Sequence, residues 1–434
     1  RSNSSRDRPR LITQGHFMVT APVRSDRVQD LRDLLATMNS APGVVDPDNA
    51  LVPFGRFENI HVARFVVADD QTLDDRAAFP GLPAAERIPL IFLGDCDGPG
   101  DEMLARIAAE AGNGLRQIFA HCDDFDPRAD LLAWMRARQT PPTAVYVNWI
   151  GRTVRQVREE AALHERLRTA LAGMTERNAR QLHAKLRAAV ANGPKLTPIE
   201  PRTLLQWIAF ILGIVGLLVL GVALFIPTLV IAPFFLIALR RAETTDPVIR
   251  KRANAAYTRE IAIGEDRDVT NPFSAIGSLK PGWLRLAITV VALRAVGLSA
   301  IFLYNRGRLA RVSTIHFARW VLLDGNRRVF FASNYDGSLE SYMDDFINKV
   351  AFGLNLVFSN GIAYPPTDFL VNRGAWREQM FKHFLHRRQV KTDVWYKAYP
   401  GLTNADLARN ARIRHGLERD DMSDEEIRRW LAEI

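Results

Sequence analysis

Cysteine is scarce. The chain carries two, Cys96 and Cys122, in 434 residues, and neither sits in a CxxC pair. A disulfide framework is therefore excluded, and a reducing compartment with two free thiols is expected. Also missing are a P-loop, a dinucleotide-type GxGxxG, an HExxH and a GxSxG. Their absence argues against nucleotide-driven transport and motif-based hydrolase chemistry. Arg1 to Arg6 form a polar opening with no apolar signal core, so no export signal is expected. With 47% apolar and 24% charged residues, the chain is neither disordered, collagen-like nor wholly membrane-embedded. Its length predicts two to three domains.

Charge is absent from one long run. Thr203 to Leu239 contains no Asp, Glu, Lys or Arg, and Gln206 is its most polar side chain. One membrane crossing takes about 20 apolar residues; this run is too long for one and slightly short for two. Pro227 and Pro233 interrupt it, and Gly213, Gly216 and Gly221 would let helices approach closely. Both flanks are basic: Arg177, Arg180, Lys185, Arg187, Lys195 and Arg202 precede it, and Arg240, Arg241, Arg250, Lys251 and Arg252 follow. Basic flanks place both ends on the cytoplasmic side, which predicts a spanning or re-entrant helical hairpin at 203–239. The concentration of positive charge beside this anchor is met by anionic lipid, and nucleic acid need not be invoked.

Self-comparison shows four collinear blocks on either side of that run. Asn59 to Val66 (NIHVARFV) matches Thr314 to Val321 (TIHFARWV). Ile91 to Gly98 matches Val329 to Gly337, each ending Asp-Gly. Gly114-Leu115 with Ile118 to Ala120 matches Gly353-Leu354 with Val357 to Ser359, and Ala144 to Trp149 matches Asp393 to Ala398. Within the first copy, periodicity predicts a strand at 16–23, a helix at 26–38, strands at 59–68 and 87–94, a helix at 100–120 and a strand at 143–149. The order βαββαβ is that of a ferredoxin-like unit. In the second copy Phe273 to Lys280 is the first strand and Trp283 to Tyr304 the first helix. That helix is apolar enough to pass for a membrane span. The repeat register, with Arg285 and Arg294, assigns it to the domain instead, its apolar face free to lie on a bilayer.

The predicted fold class is α+β: two tandem ferredoxin-like modules pairing into an α+β barrel, with an inserted membrane hairpin. The expected boundaries are a tail at 1–15, module one at 16–150, a connecting helix at 151–202, the hairpin at 203–239 and a basic return segment at 240–270. Module two follows at 271–400 and C-terminal helices at 401–434, where Ser423 to Glu426 reads as a capping box.

On these features the chain resembles the dimeric α+β barrel superfamily, which includes dye-decolourising peroxidases, chlorite-dismutase-like proteins and small monooxygenases. The resemblance covers 16–150 and 273–400. It rests on topology and duplication, with one motif beside them: Gly94-Asp95-Cys96-Asp97-Gly98 fits the peroxidases' distal GxxDG, whose Asp helps to cleave peroxide. The second copy reads Ser333-Asn334-Tyr335-Asp336-Gly337, with Ser for the first Gly. What the resemblance implies is peroxidase- or monooxygenase-like chemistry with haem as the candidate cofactor, although no proximal histidine can be assigned. Asp97 and Asp336 also suit a structural role at a strand-to-helix turn.

His61 and Arg64, like His316 and Arg319, are three apart on a strand, so a period of two sends them to opposite faces. Inward arginines would suit an amphipathic anion such as a fatty acid or lipid head group. Inward histidines could ligate a metal or haem, or act as acid and base. A third reading makes both residues parts of the sheet. The candidate catalytic residues are thus His61, His316, Asp97 and Asp336, the candidate substrate-binding residues Arg64 and Arg319. No metal set is assigned: His383 and His386 read as a solvated basic helix, and His121-Cys122-Asp123-Asp124 has no counterpart in the second copy.

Two functions follow. One is a membrane-anchored protein whose barrel binds, and in peroxidase-like fashion oxidises, a hydrophobic or lipidic substrate. The other is a non-catalytic subunit that docks or assembles a membrane complex. The expected partners are membrane lipid and either other complex subunits or a second copy. The expected location is the inner (cytoplasmic) membrane with both modules on its cytoplasmic side.

Overall fold

A computed structural model describes residues 11–83, 87–265, 267–304 and 307–434; most of the expected N-terminal tail lies outside them. The architecture is α+β. Its principal strands are β1 (Gln14–Pro22), β2 (Ile60–Val67), β3 (Pro89–Asp97), β4 (Ala144–Val147), β5 (Thr270–Ser278), β6 (Ile315–Leu323), β7 (Arg328–Asp336) and β8 (Val394–Lys397). They form two antiparallel four-stranded sheets in the orders β1-β3-β2-β8 and β4-β6-β7-β5. Each sheet therefore takes its last strand from the other half of the chain: β8 pairs with β2, and β4 with β6.

The residues leading into the exchanged strands touch their own half first. Val19 bridges Gln139, and Ala275 bridges Gln389. Single bridges are all that connect the sheets at these two seams, and the expected closed barrel is not formed as a continuous ladder. The β2–β8 pairing is extended by Asp393, whose Oδ2 accepts from the Val67 amide at 2.8 Å.

Both sheets are covered on one side by helices. In the first half these are α1 (Val28–Ala36), α2 (Gly100–Glu110), α3 (Gly112–Phe119) and α4 (Leu131–Ala137). The single helix predicted at 100–120 is divided between α2 and α3 at Ala111, whose φ of −117° and ψ of 19° lie off the helical values. Phe17, Phe65, Phe92, Leu104 and Leu115 fill the core beneath them. The other faces of the two sheets meet through Met18, Val66, Ile91, Leu93, Ile276 and Phe330. Strand β2 is buried along its whole length, both faces being covered, and apart from His61 and Arg64 it is apolar throughout.

Two arginines cross this dry interface. Arg64 of β2 donates to the Phe273 carbonyl (2.9 Å), the Ser274 hydroxyl (3.0 Å) and the Ser333 carbonyl (2.9 Å) of the opposite sheet. Arg319 of β6 donates reciprocally to the Phe17 carbonyl (2.9 Å), the Gly94 carbonyl (3.0 Å) and the Asp95 carboxylate (2.5 Å). Both are 2% exposed. Burial, with Arg319 close by, pushes the Arg64 guanidinium down to about 9, still charged at neutral pH.

The connector at 151–202 is two helices, α5 (Val154–Ala172) and α6 (Ala179–Ala191), separated where Gly173 ends one and the Asn178 side chain caps the next. They pack against α12 (Asn404–Glu418) and α13 (Asp424–Leu431) through Leu167, Leu186, Ile413 and Trp430. The Ser423–Glu426 capping box is formed.

The apolar run is one continuous helix, α7 (Leu204–Thr245), and not a hairpin. Each proline removes a single backbone donor, and no Gly, Asn, Asp or charged residue between Pro227 and Pro233 supplies a reversal. At 1.5 Å per residue it is about 60 Å long. After α8 (Ala255–Ile263) and β5 comes α9 (Trp283–Phe302), as expected a domain helix, which buries Ile288, Leu293 and Ala300. Phe210 of α7 meets Phe302 of α9, and Leu239 meets Ile288, so the two helices run antiparallel. These are the two helices long and apolar enough to cross a membrane among the described residues. The remaining helices are α10 (Leu339–Phe358) and α11 (Glu378–Arg388).

Removing one partner of a buried hydrogen-bonded charge costs on the order of 3–5 kcal/mol. Arg319→Ala leaves Asp95 buried without its cation, whereas Arg64→Ala also relieves the repulsion between two close guanidiniums. Both variants are expected to lose stability in denaturant titration, Arg319→Ala the more; equal and small losses would contradict the cross-brace. Burial raises the Asp393 carboxyl from 3.8 to about 6, so its contribution is complete below pH 3.8 and lost as pH rises to about 6. Asp393→Asn keeps an acceptor for Val67 and is expected to stabilise the protein at pH 8 by up to about 3 kcal/mol, with no gain at pH 4.

Candidate functional site

The IHxAR strands hold a feature that period-two reasoning does not contain. Ile60 pairs with Cys96 and Val62 with Asp95, so His61 is the extra residue of a β-bulge; His316 is the same between Ile315 and Phe317. The inserted residue cancels the alternation. His61 and Arg64 consequently both face the opposite sheet, as do His316 and Arg319, in place of the opposite faces expected. His61 packs on Phe317, 5.3 Å between ring centres.

Each histidine meets the aspartate of the strand-end Asp-Gly. His61 Nε2 lies 2.9 Å from Asp97 Oδ1, and its Nδ1 lies 3.1 Å from the Tyr399 hydroxyl. His316 Nε2 lies 2.6 Å from Asp336 Oδ1, to which the Thr270 hydroxyl also donates at 2.7 Å. The second carboxylate oxygens accept from helix N-termini: Asp97 from the Val154 amide (2.9 Å) and Asp336 from the Asn404 amide (2.7 Å). Free amides and the helix dipole favour an anion there. The glycines after the aspartates, Gly98 and Gly337, have φ of 79° and 86°, which only glycine adopts without strain. Asp97 and Asp336 thus tie sheet ends to α5 and α12.

Burial pushes the His316 imidazole below its ordinary value, against the pull of Asp336. Burial opposes ionisation of Asp336 too, but His316, the Asn404 amide and Thr270 hold its carboxyl below the usual range. A neutral imidazole donating to a carboxylate results.

The two bulges line one small cavity of about 20 Å³, together with Asn148, Trp149, Tyr399 and Asn404. The buried Asn148 Nδ2 and Asn404 Oδ1 have no protein partner. The space and its polar lining fit one water molecule. They do not fit a porphyrin: no cavity of that size adjoins either histidine, and the ring nitrogens His61 Nδ1, His61 Nε2 and His316 Nε2 are engaged. Arg64 and Arg319 are likewise occupied by protein acceptors. No cluster of three metal-ligating side chains occurs among the described residues. His386 pairs with Glu340. Cys122 is buried, and its thiol is pushed up to about 12 by that burial, so it is not a reactive nucleophile.

A larger space lies elsewhere. Between the helix side of the second sheet, α9, α10 and α11 is a cavity of about 440 Å³, lined by Phe273, Trp320, Val296, Phe346, Gly353 and Phe381 among others. The buried Trp320 indole Nε1 has no partner. Helix α10 departs from helical dihedrals at Val350 (φ −144°, ψ 26°), a residue of the cavity wall. Exposed Leu303 and Phe352 also line it, which makes its mouth apolar. Sequence reasoning missed this space, since a cavity is set by which atoms are absent. It also missed Tyr399, Thr270 and the helix N-termini. The Thr153–Gln156 and Thr403–Asp406 capping boxes are the sequence signal that could have located those N-termini.

No protein family, curated protein or solved structure matches the chain.

The unfolded imidazole protonates below pH 6.5 while buried His316 resists, so stability is lost as pH falls below 6.5, and again as Asp336 protonates below 3.8. His386, also lowered by burial, adds to the upper window. Asp393 acts in the opposite sense over part of this range, so the comparison is between variants: His316→Gln is expected to lose less melting temperature than wild type between pH 7 and 5, and an unchanged slope would show that His316 is not held neutral.

Proposed function

We propose that the chain is a membrane-associated protein that binds a hydrophobic or lipidic ligand, and that the ligand occupies the cavity beneath α9. The observation that carries this reading is the 440 Å³ apolar space, of the size of small-molecule sites, beside the exposed apolar helix α7. The few polar residues in its lining, Ser299, Tyr304, Tyr342 and Lys349, leave the wall mostly apolar, and the Lys349 ammonium suits a carboxylate or phosphate oxygen at one end of such a ligand. The inner membrane, with the sheets on its cytoplasmic side, is the location this reading assigns.

The same reading takes the two halves as tandem ferredoxin-like modules that exchange their last strands, an arrangement similar to the dimeric α+β barrel superfamily. In its support stand the equivalent strand orders, the paired bulges at His61 and His316 and the reciprocal arginines. Peroxidase-like oxidation by His61, Asp97, His316 and Asp336 would be limited to a substrate the size of water or peroxide, and is not part of the proposal. The second reading, a non-catalytic assembly subunit, draws on the unburied apolar surface of α7.

The test is mass spectrometry of lipid extracted from detergent-purified protein. Gly353 lines the cavity, and a side chain added there meets open space. Gly353→Phe should therefore fill the cavity without cost to the helix. Wild type is expected to carry an acyl lipid, and Gly353→Phe at least about tenfold less. Equal lipid in wild type and Gly353→Phe would remove the cavity from the account and favour the assembly reading.

A further inference from the structure

The chain leaving the membrane-type helix builds a second, chemically opposite space. A cleft of about 360 Å³ lies between the segment 249–252 and α11, lined by Arg250, Lys251, Arg252, His383 and Arg387 over a floor that includes Ile249, Met380 and Phe384. It is a different site from the apolar cavity, with α11 as the wall between them: Phe381 and Leu385 face the cavity, Met380 and His383 the cleft.

The cations here are not a loose surface cluster. Asp75, whose side chain is fully buried, receives Lys251 at 2.9 Å and Arg387 at 2.7 and 3.0 Å. Lys251 also reaches Asp74. These contacts hold two cationic side chains in fixed positions and hold the carboxylate charge on one side. Arg250 and Arg252 pair with no carboxylate among the described residues. The four Lys and Arg side chains facing the cleft outnumber Asp74 and Asp75, so the cleft carries a net positive charge that attracts an anion. Guanidiniums converging on a cleft recognise oxyanions through parallel N–H donors, and the segment begins just beyond the end of α7 at Thr245.

We infer that this cleft binds a phosphate group carrying uncompensated negative charge, supplied by an acidic phospholipid head group or by a soluble phosphate. Arg250 and Arg252 donate to its oxygens, while Lys251 and Arg387 stay anchored on Asp75. Ile249, Met380 and Phe384 lie under the ester side.

The experiment uses the full-length protein in detergent, with native mass spectrometry of bound dioleoylphosphatidylglycerol against dioleoylphosphatidylcholine. A parallel titration with inorganic phosphate is followed by ³¹P line width. Retention of phosphatidylglycerol over phosphatidylcholine is expected. Arg250→Ala/Arg252→Ala should lower it by roughly five-fold for each cation removed, with unchanged melting temperature because neither arginine has a protein partner to lose. Lys195→Ala/Arg202→Ala, at the other end of α7, should leave it unchanged. Phosphatidylglycerol bound and inorganic phosphate ignored would assign the lipid source; displacement of the lipid by inorganic phosphate would assign the soluble one. His383→Ala is the second variant should the double one fold poorly, and it is expected to weaken binding. Full retention in Arg250→Ala/Arg252→Ala, equal binding of the two lipids with no response to phosphate, or equal loss in Lys195→Ala/Arg202→Ala would overturn the assignment. The apolar cavity is read separately through Gly353→Phe, which should leave phosphatidylglycerol selectivity intact.

Discussion

Everything in the sheet pair turns on two buried guanidiniums that bond to each other's sheets. Burying an arginine is costly unless its donors are met; here backbone carbonyls at the same register position of opposite sheets, Gly94 and Ser333, accept from the terminal guanidinium nitrogens, although Arg64 Nε is left without a partner. This requirement fixes the distance and rotation between the sheets. It also explains why each sheet borrows its last strand. With β8 on the first sheet and β4 on the second, neither half can slide without breaking both ladders and both arginine sets.

The cost of that rigidity is space. Clusters around Val66, Leu93, Val321 and Phe330 close the interface, and the histidine bulges at its end leave room for little more than one water. The larger cavity lies instead on the outer side of the second sheet. There α9, rich in small and apolar residues, and α10, broken at Val350, stand off from Trp320 and Phe331. On the first sheet α1 to α3 pack over a core that includes the buried Phe17, Leu104, Leu115 and Phe119. The two halves thus differ in packing: the helix side of the first sheet is a filled core, and that of the second encloses a cavity.

Much of this was legible in the sequence. The strands around IHVAR and IHFAR, the Asp-Gly turns and the helix at Trp283 follow from periodicity and turn chemistry. The bulges were not, since an inserted histidine in an apolar strand carries no signal apart from its effect on alternation. Strand exchange was equally hidden: Ala144–Val147 shows the same pattern whichever sheet receives it. The hairpin expected at 203–239 failed because two prolines in an otherwise uninterrupted apolar run kink a helix more readily than they end it. The roles of Arg64 and Arg319 depended on what lies across the interface, which only the tertiary structure supplies.

The proposed ligand site lies on the α9–α10 side and not in the space between the sheets. Photo-crosslinking of the full-length protein with a diazirine-bearing fatty acid, followed by peptide mapping, tests it most directly. Labels on 283–302 and 339–358 are the expected result. Labels on 60–67 and 315–323, around the arginines and histidines, would contradict it.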